Sequence, residues 1–199
     1  VAHLLLLRGV DTPEAARAFL RPSLRQLSDP FGLTDMRPAV ERIQQARACA
    51  EHVLVFWDYD VDGIAATTIL ANGFQRFGIE RCTPGMPLRL EEGYGLSTAH
   101  VDAAHADGVS LIVTVDNGIS AHAAAARARE LEIDLVVTDH HDIEGPLPDA
   151  VAVINPRRED PEHPCANLCG AGVAFKLATA LNGTPNDLDL AALGTVADI

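Results

Sequence analysis

Three clusters of acids and histidines each follow a short apolar run directly: Asp58-Tyr59-Asp60-Val61-Asp62-Gly63 after 53–57, Asp116-Asn117-Gly118 after 110–115, and Asp139-His140-His141 after 135–138. Carboxylates packed this closely repel one another and raise each other's pKa, so a fold that keeps them ionised needs cations among them. A mixed set of imidazole and carboxylate suits manganese or zinc as well as magnesium, because harder ions alone favour an all-oxygen shell. A neutral His140 or His141 can bind one metal while a carboxylate orients its other ring nitrogen. Taken singly, each cluster has a plainer reading. The first resembles a calcium loop, but the twelfth position of such a loop needs a Glu and here holds Ile69. Asp116-Asn117-Gly118 alone is a turn after a strand, and Asp139-His140-His141 alone is a helix cap with surface histidines. Their joint occurrence at three strand ends selects a divalent-metal site. The remaining histidines have no such context and are expected to be structural or solvent-exposed.

The apolar runs at 53–57, 110–115, 135–138 and 151–154 are continuous rather than alternating, as in strands covered on both faces. Helical patterns at 63–77, 97–106 and 119–131 separate them, and two more at 170–181 and 188–193 follow the last. This alternation predicts an α/β fold, a mostly parallel sheet flanked by helices. Ligands of such sheets bind outside the carboxyl ends of the strands, so all three clusters would meet on one edge. Residues 1–50 read as a helical preface and 51–199 as the catalytic domain. Within the preface, Thr12 caps a helix with Pro13 at its first position, running to Leu20. A turn-rich linker follows, and a second helical run goes from Thr34-Asp35 through Val40 and Ile43 to Ala50.

With 48% hydrophobic and 22% charged residues in 199, the chain is globular in composition, which excludes disorder, a collagen-like repeat and a coiled coil. Its apolar runs fall far short of the roughly 20 residues of a membrane helix. Four cysteines, Cys49, Cys82, Cys165 and Cys169, are too sparse for a disulfide scaffold and fit a reducing, cytoplasmic setting. His163, Cys165 and Cys169 lie close together, but three ligands without a second pair are a weak zinc signal, and a loop with ordinary thiols is expected. The net charge of -13 argues against non-specific nucleic-acid binding by this piece. A phosphate-bearing substrate would need metal ions or a basic domain elsewhere to approach.

The order Asp58-x-Asp60-x-Asp62-Gly63, Val115-Asp116-x-Gly118, Asp139-His140-His141 and Gly194-Thr195-Val196-Ala197-Asp198 resembles motifs one to four of the DHH phosphoesterase superfamily. Within it, the chain is similar to the amino-terminal part of the RecJ exonucleases. Phe19-Leu20-Arg21-Pro22-Ser23-Leu24, Pro87-Leu88-Arg89, Glu92-Gly93-Tyr94-Gly95, Ile154-Asn155-Pro156 and Gly170-Ala171-Gly172-Val173-Ala174-Phe175 share in the likeness. The resemblance implies that Asp58, Asp60, Asp62, Asp116, His140, His141 and Asp198 belong to a metal site. It leaves Asp139 open as ligand or as orienter. Trp57 departs from the small residue expected before the first motif, and Asn117 stands where Cys is frequent; neither change removes a ligand.

The function so implied is a metal-dependent phosphodiesterase that degrades single-stranded DNA from the 5′ end, in DNA repair and recombination, by two-metal hydrolysis with Mn2+ or Mg2+. Asp60, Asp62, Asp116, His140 and His141 would carry the catalysis, with His141 able to shuttle a proton. Arg89 is the expected phosphate contact, since guanidinium suits bidentate phosphate binding, and Tyr94 the expected base-stacking residue. The family pattern places a second, cleft-closing domain after the fourth motif, outside this chain. Single-stranded DNA is the implied partner, with helicases or single-strand-binding protein beside it, no membrane, and an open oligomeric state. Two alternatives stay in view: another hydrolase of the superfamily, acting on pyrophosphate, short oligonucleotides or cyclic dinucleotides, and a catalytically silent binding module.

Overall fold

The two-faced apolarity of the strands is fulfilled by helices on both sides of one parallel sheet. The structure, a computed structural model, describes residues 1–57, 59–85 and 95–198. Strands β1 (His52–Trp57), β2 (Arg81–Gly85), β3 (Leu111–Val115), β4 (Asp134–Thr138) and β5 (Ala152–Ile154) pair in the order β2-β1-β3-β4-β5. All the pairings are parallel, so every carboxyl end faces the same edge. The register sets Trp57 beside Val115 and Val115 beside Thr138, which brings the starts of the three clusters side by side.

The helices are α1 (Ala2–Leu6), α2 (Pro13–Leu20), α3 (Met36–Ala48), α4 (Val61–Phe77), α5 (Thr98–Ala106), α6 (His122–Glu130), α7 (Gly170–Asn182) and α8 (Leu188–Ala197). On one face Val53, Val55, Leu111, Val113 and Val136 pack against Ile43 of α3, Ile69 and Leu70 of α4, and Leu177 of α7. On the other, Phe56, Ile112, Leu135 and Val137 meet Val101 of α5 and the alanine face of α6. Alternate side chains of each strand therefore feed opposite cores, as a period of two requires. The strand order reverses between β1 and β3, and the crevice at such a switch point is where doubly wound sheets bind ligands. Among the described residues no helix is long and apolar enough to cross a membrane.

Several boundaries differ from the sequence reading for physical reasons. Strand β2 was not expected: Arg81-Cys82-Thr83-Pro84-Gly85 is short and polar and carries a proline. It is tolerated because, among the described residues, β2 is an edge strand that pairs with β1 alone, and a proline is accommodated on such an edge. Helix α6 starts three residues later than 119, because Gly118 turns at φ +109° and the Ile119 amide donates to Asp139 instead of entering a helix. Helix α8 runs past Gly194 to Ala197 rather than ending at 193. In the preface, Thr12 caps α2 by accepting from the Ala15 amide, as its position predicts, while α1 forms at an apolar run given no helix in the sequence reading. Buried Met36, Ala39, Val40 and Ile43 of α3 join the core under β1, so this helix of the preface packs as part of the main body.

Candidate metal centre

Each strand end delivers its residues by a different local device. After β1, Asp60 caps α4, its Oδ1 accepting from the Gly63 amide at 2.8 Å, as an Asp at an N-cap does. Asp62, in the first turn of α4, is buried and faces the start of α7. Its Oδ2 accepts from the Gly170 amide at 2.6 Å and its Oδ1 from the Ala171 amide at 2.9 Å. Two unpaired N-terminal amides of one helix thus hold a carboxylate that belongs to another.

Asp116, at the end of β3, adopts φ +60°, a conformation costly for a residue with a Cβ. Its amide donates to Thr138 O at 3.0 Å, which ties the turn to β4 while the side chain points into the crevice. Asn117 beside it is buried, and its Nδ2 donates to Val115 O at 2.8 Å and Phe56 O at 3.4 Å, bridging the ends of β3 and β1. Asp139 has both oxygens occupied. Oδ2 accepts from Ile119 N at 2.8 Å; Oδ1 accepts from the amides of His140 (2.7 Å) and His141 (3.1 Å) and lies 2.6 Å from His141 Nδ1. With four such contacts Asp139 is placed to orient the pair of histidines rather than to bind metal through a free oxygen.

These devices converge. His140 Nε2 lies 3.0 Å from Asp116 Oδ1 and 3.7 Å from Asp62 Oδ2, and His140 Nδ1 lies 3.8 Å from Asp198 Oδ2 at the end of α8. Ligand atoms of Asp116, His140 and His141 fall within 4.8 Å of one another, and so do those of Asp62, His140 and Asp198. Although His140 approaches Asp116 Oδ1 closely, the alignment is not that of a hydrogen bond, and among the described residues this buried oxygen has no aligned donor. An orphaned buried carboxylate oxygen facing imidazole and further carboxylates fits a divalent cation. Asp60 is exposed at the mouth and still near enough to act on Asp116 by its charge. Asp58, Arg89 and Tyr94 lie outside the described residues.

The electrostatics carry the same signature. Burial, helped by the charges of Asp62 and Asp60 and opposed by His140, pushes the Asp116 carboxyl up to about 6. For His140, burial works downward, but the Asp116 and Asp198 carboxylates outweigh it and the imidazole is raised. Asp139 is buried, which works upward, yet the His141 ring and the amides of Ile119 and His141 hold it below the usual range. A proton-loving Asp116–His140 pair beside a firmly ionised orienter is what a cation site looks like without its cation. The His163, Cys165 and Cys169 group makes no such cluster among the described residues: Cys165 lies 3.1 Å from Ser28 Oγ, and burial pushes the Cys169 thiol up to about 11.

Two glycines, which in the sequence stand out only as parts of motifs, complete the centre. A Cβ on Gly170 would stand 2.7 Å from Asp116 Oδ1, and one on Gly194 would stand 2.6 Å from Asp62 Oδ1 and 2.4 Å from Ala171 Cβ. Only bare backbone lets α7 and α8 come this close to the carboxylates.

The chain matches the family described as "DHH family, N-terminal domain" over residues 52–195. It is 41% identical to the single-stranded-DNA-specific exonuclease RecJ of Bacillus subtilis over 201 residues, covering 100% of this chain and 25% of that protein. To the Escherichia coli RecJ it is 41% identical over 184 residues, covering 84% and 32%. The crystal structure of an exonuclease RecJ bound to manganese superposes with a TM-score of 0.76 at 35% identity, over 84% of this chain and 44% of that one. RecJ of Thermus thermophilus in complex with Mn2+ gives 0.80 at 29% identity, over 98% and 28%. The chain therefore spans about a quarter to a third of the length of these curated relatives. The resemblance to the amino-terminal part of RecJ is borne out, and with the family match extending from β1 into α8, the chain belongs to the DHH family.

Proposed function

We propose that this chain is the metal-binding catalytic part of an exonuclease that hydrolyses single-stranded DNA from its 5′ end. The observation that carries this is the buried Asp116 oxygen, which has no aligned donor among the described residues and faces His140, itself set between Asp62 and Asp198 at the sheet's switch point. The substrate is that of the relatives, which are single-stranded-DNA-specific exonucleases, and the ions are those of solved RecJ structures, manganese and magnesium. The alternation of elements also supports reading 51–199 as the catalytic domain with 1–50 as its preface. Four free thiols suit the reducing cytoplasm where such an enzyme would work.

In this reading Asp58, Asp60, Asp62, Asp116, His140, His141 and Asp198 hold two divalent ions. Such ions, when bound, polarise the phosphodiester and lower the pKa of a water to near about 7. The residues do the rest. Asp139 engages His141 Nδ1, which fixes the direction of the ring. The α7 amides on Asp62 fix that carboxylate against the pull of a cation. Burial of Asp116 and Asp62 keeps bulk water from competing for the reaction centre. Arg89 grips a substrate phosphate, and Tyr94 stacks on a base.

Calorimetric titration with Mn2+ of the wild type, Asp60→Ala and His140→Ala tests the ligand set: the variants should lose metal uptake, and equal uptake by all three overturns it. Strands labelled at either end, a closed circle, pyrophosphate and dinucleotides then test the substrate on a protein carrying the length found in the relatives. Loss from the 5′ end with an intact circle is expected. Preference for pyrophosphate or dinucleotides points to another branch of the family.

A further inference from the structure

Asn155 is fully buried one residue past β5, between the loop that carries His140 and His141 and the 3₁₀ turn Pro156–Arg158. Its amide is engaged at both ends. Oδ1 accepts from the Arg157 backbone N–H at 2.8 Å and so caps the turn; Nδ2 donates to the His141 carbonyl at 3.0 Å. An N–H on one side and a carbonyl on the other fix the orientation of the amide. The strand that bears it is anchored from both flanks. Asp139 N donates to Ile154 O at 3.1 Å on the inner side. On the outer side Asp35 Oδ2 accepts from Val153 N at 3.2 Å and from Arg158 at 2.6 Å, and Arg158 also donates to Val153 O.

The direction of a histidine depends on what holds its ring and on the path of the backbone beneath it. Asp139 holds the His141 ring and the amides of both histidines, but it leaves the His141 carbonyl to be held by something else. That partner is Asn155. We propose that Asn155 is a positioning residue of the metal centre, fixing through the His141 carbonyl the backbone that aims His140 at Asp116. This rests on the metal-binding reading above and adds to its ligand set a residue that touches no ion.

Asn155→Asp keeps the oxygen that caps the turn and removes the donor to His141, while Asn155→Ala removes both. Arg158→Ala loosens the same strand on its far side without touching His141. Mn2+ affinity by calorimetry and the thermal midpoint without metal are measured for all three and for the wild type. Both Asn155 variants should bind Mn2+ at least about tenfold more weakly, the range seen when groups behind metal ligands are removed. Arg158→Ala should lose thermal stability yet bind within about twofold of the wild type. Wild-type affinity in the Asn155 variants overturns the proposal, and so does an equal loss in Arg158→Ala, which would make the effect one of strand stability. If one Asn155 variant fails to fold, the other decides. Failure of the wild type to take up Mn2+ removes the metal reading itself, a different result from normal binding by the Asn155 variants.

Discussion

Asp116 shows how a residue suited to a cation burdens the protein without one. Its folded pKa of about 6 stands above the ordinary 3.8, so between those values the folded state keeps a proton that the unfolded state has lost. The contribution of Asp116 to the stability of the metal-free protein must then fall as pH rises through that window and stay lower above it. Asp116→Asn removes the ionisable group while keeping its shape. In chelator the variant should be more stable than wild type above pH 6, by up to about 3 kcal/mol, with a flatter dependence of thermal midpoint on pH across the window. The same variant should take up no Mn2+ at this position. A gap between variant and wild-type midpoints that stays constant from pH 3.8 to 6, in the absence of metal, would contradict the assignment.

At the scale of elements, the centre depends on how closely α7 and α8 approach the sheet edge. Gly170→Ala places a methyl 2.7 Å from Asp116 Oδ1 and 2.8 Å from its Cβ, so α7 must withdraw and take the Gly170 and Ala171 amides off Asp62. The expected cost is about 1–3 kcal/mol of stability, as for overpacking elsewhere, together with loss of tight Mn2+ binding. Gly172→Ala, two residues along α7, has the Leu168 side chain as its nearest neighbour at 3.0 Å and should bind metal normally. Calorimetry on the two variants checks the contrast. The opposite edge of the sheet behaves independently. Buried Arg42 of α3 joins Glu51 at 2.6 Å and Asp134 at 2.5 Å, just before β1 and at the start of β4. Arg42→Met leaves Glu51 without its cation and should cost about 3 kcal/mol in denaturant unfolding. Mn2+ affinity of the folded variant should be unchanged, because the proposed ligands among the described residues gather at the other end of the strands.

Across the whole molecule, charge sets what the chain can do alone. A net charge of -13 becomes about -9 when two divalent ions bind, since they return only four positive charges, and the phosphate backbone still meets repulsion. The isolated chain should therefore bind single-stranded DNA weakly and cut it slowly even when its metal sites are filled. Adding the further length present in the relatives should raise affinity and make it steeply salt-dependent. Fluorescence anisotropy with a labelled strand at two salt concentrations measures both; tight, salt-insensitive binding by the isolated chain would show that its own surface suffices.

Much of this was legible in the sequence because it is local. Continuous apolar runs marked β1, β3, β4 and β5, since a strand covered on both faces has no polar side to show, and the acids directly after three of them marked the ligand edge. Edge strand β2 left no such trace: bonded on one side only, it can be polar and carry Pro84. The start of α6 was hidden because the Ile119 amide is taken by Asp139, twenty residues away. The role of Asp139 was equally out of reach, since a carboxylate in the middle of a motif is chemically a ligand until its contacts to the histidine amides and the His141 ring are seen. So were Gly170 and Gly194, which lie far along the chain from the acids they admit, and Asn155, whose partner is the carbonyl of His141. The sequence by itself determined which side chains could hold a cation and that parallel strands would gather them, because strand period and residue chemistry are properties of short segments. Only the tertiary structure decided which of them come together and which hold the others in place, because that depends on hydrogen bonds and close approaches between segments about 15 to 110 residues apart.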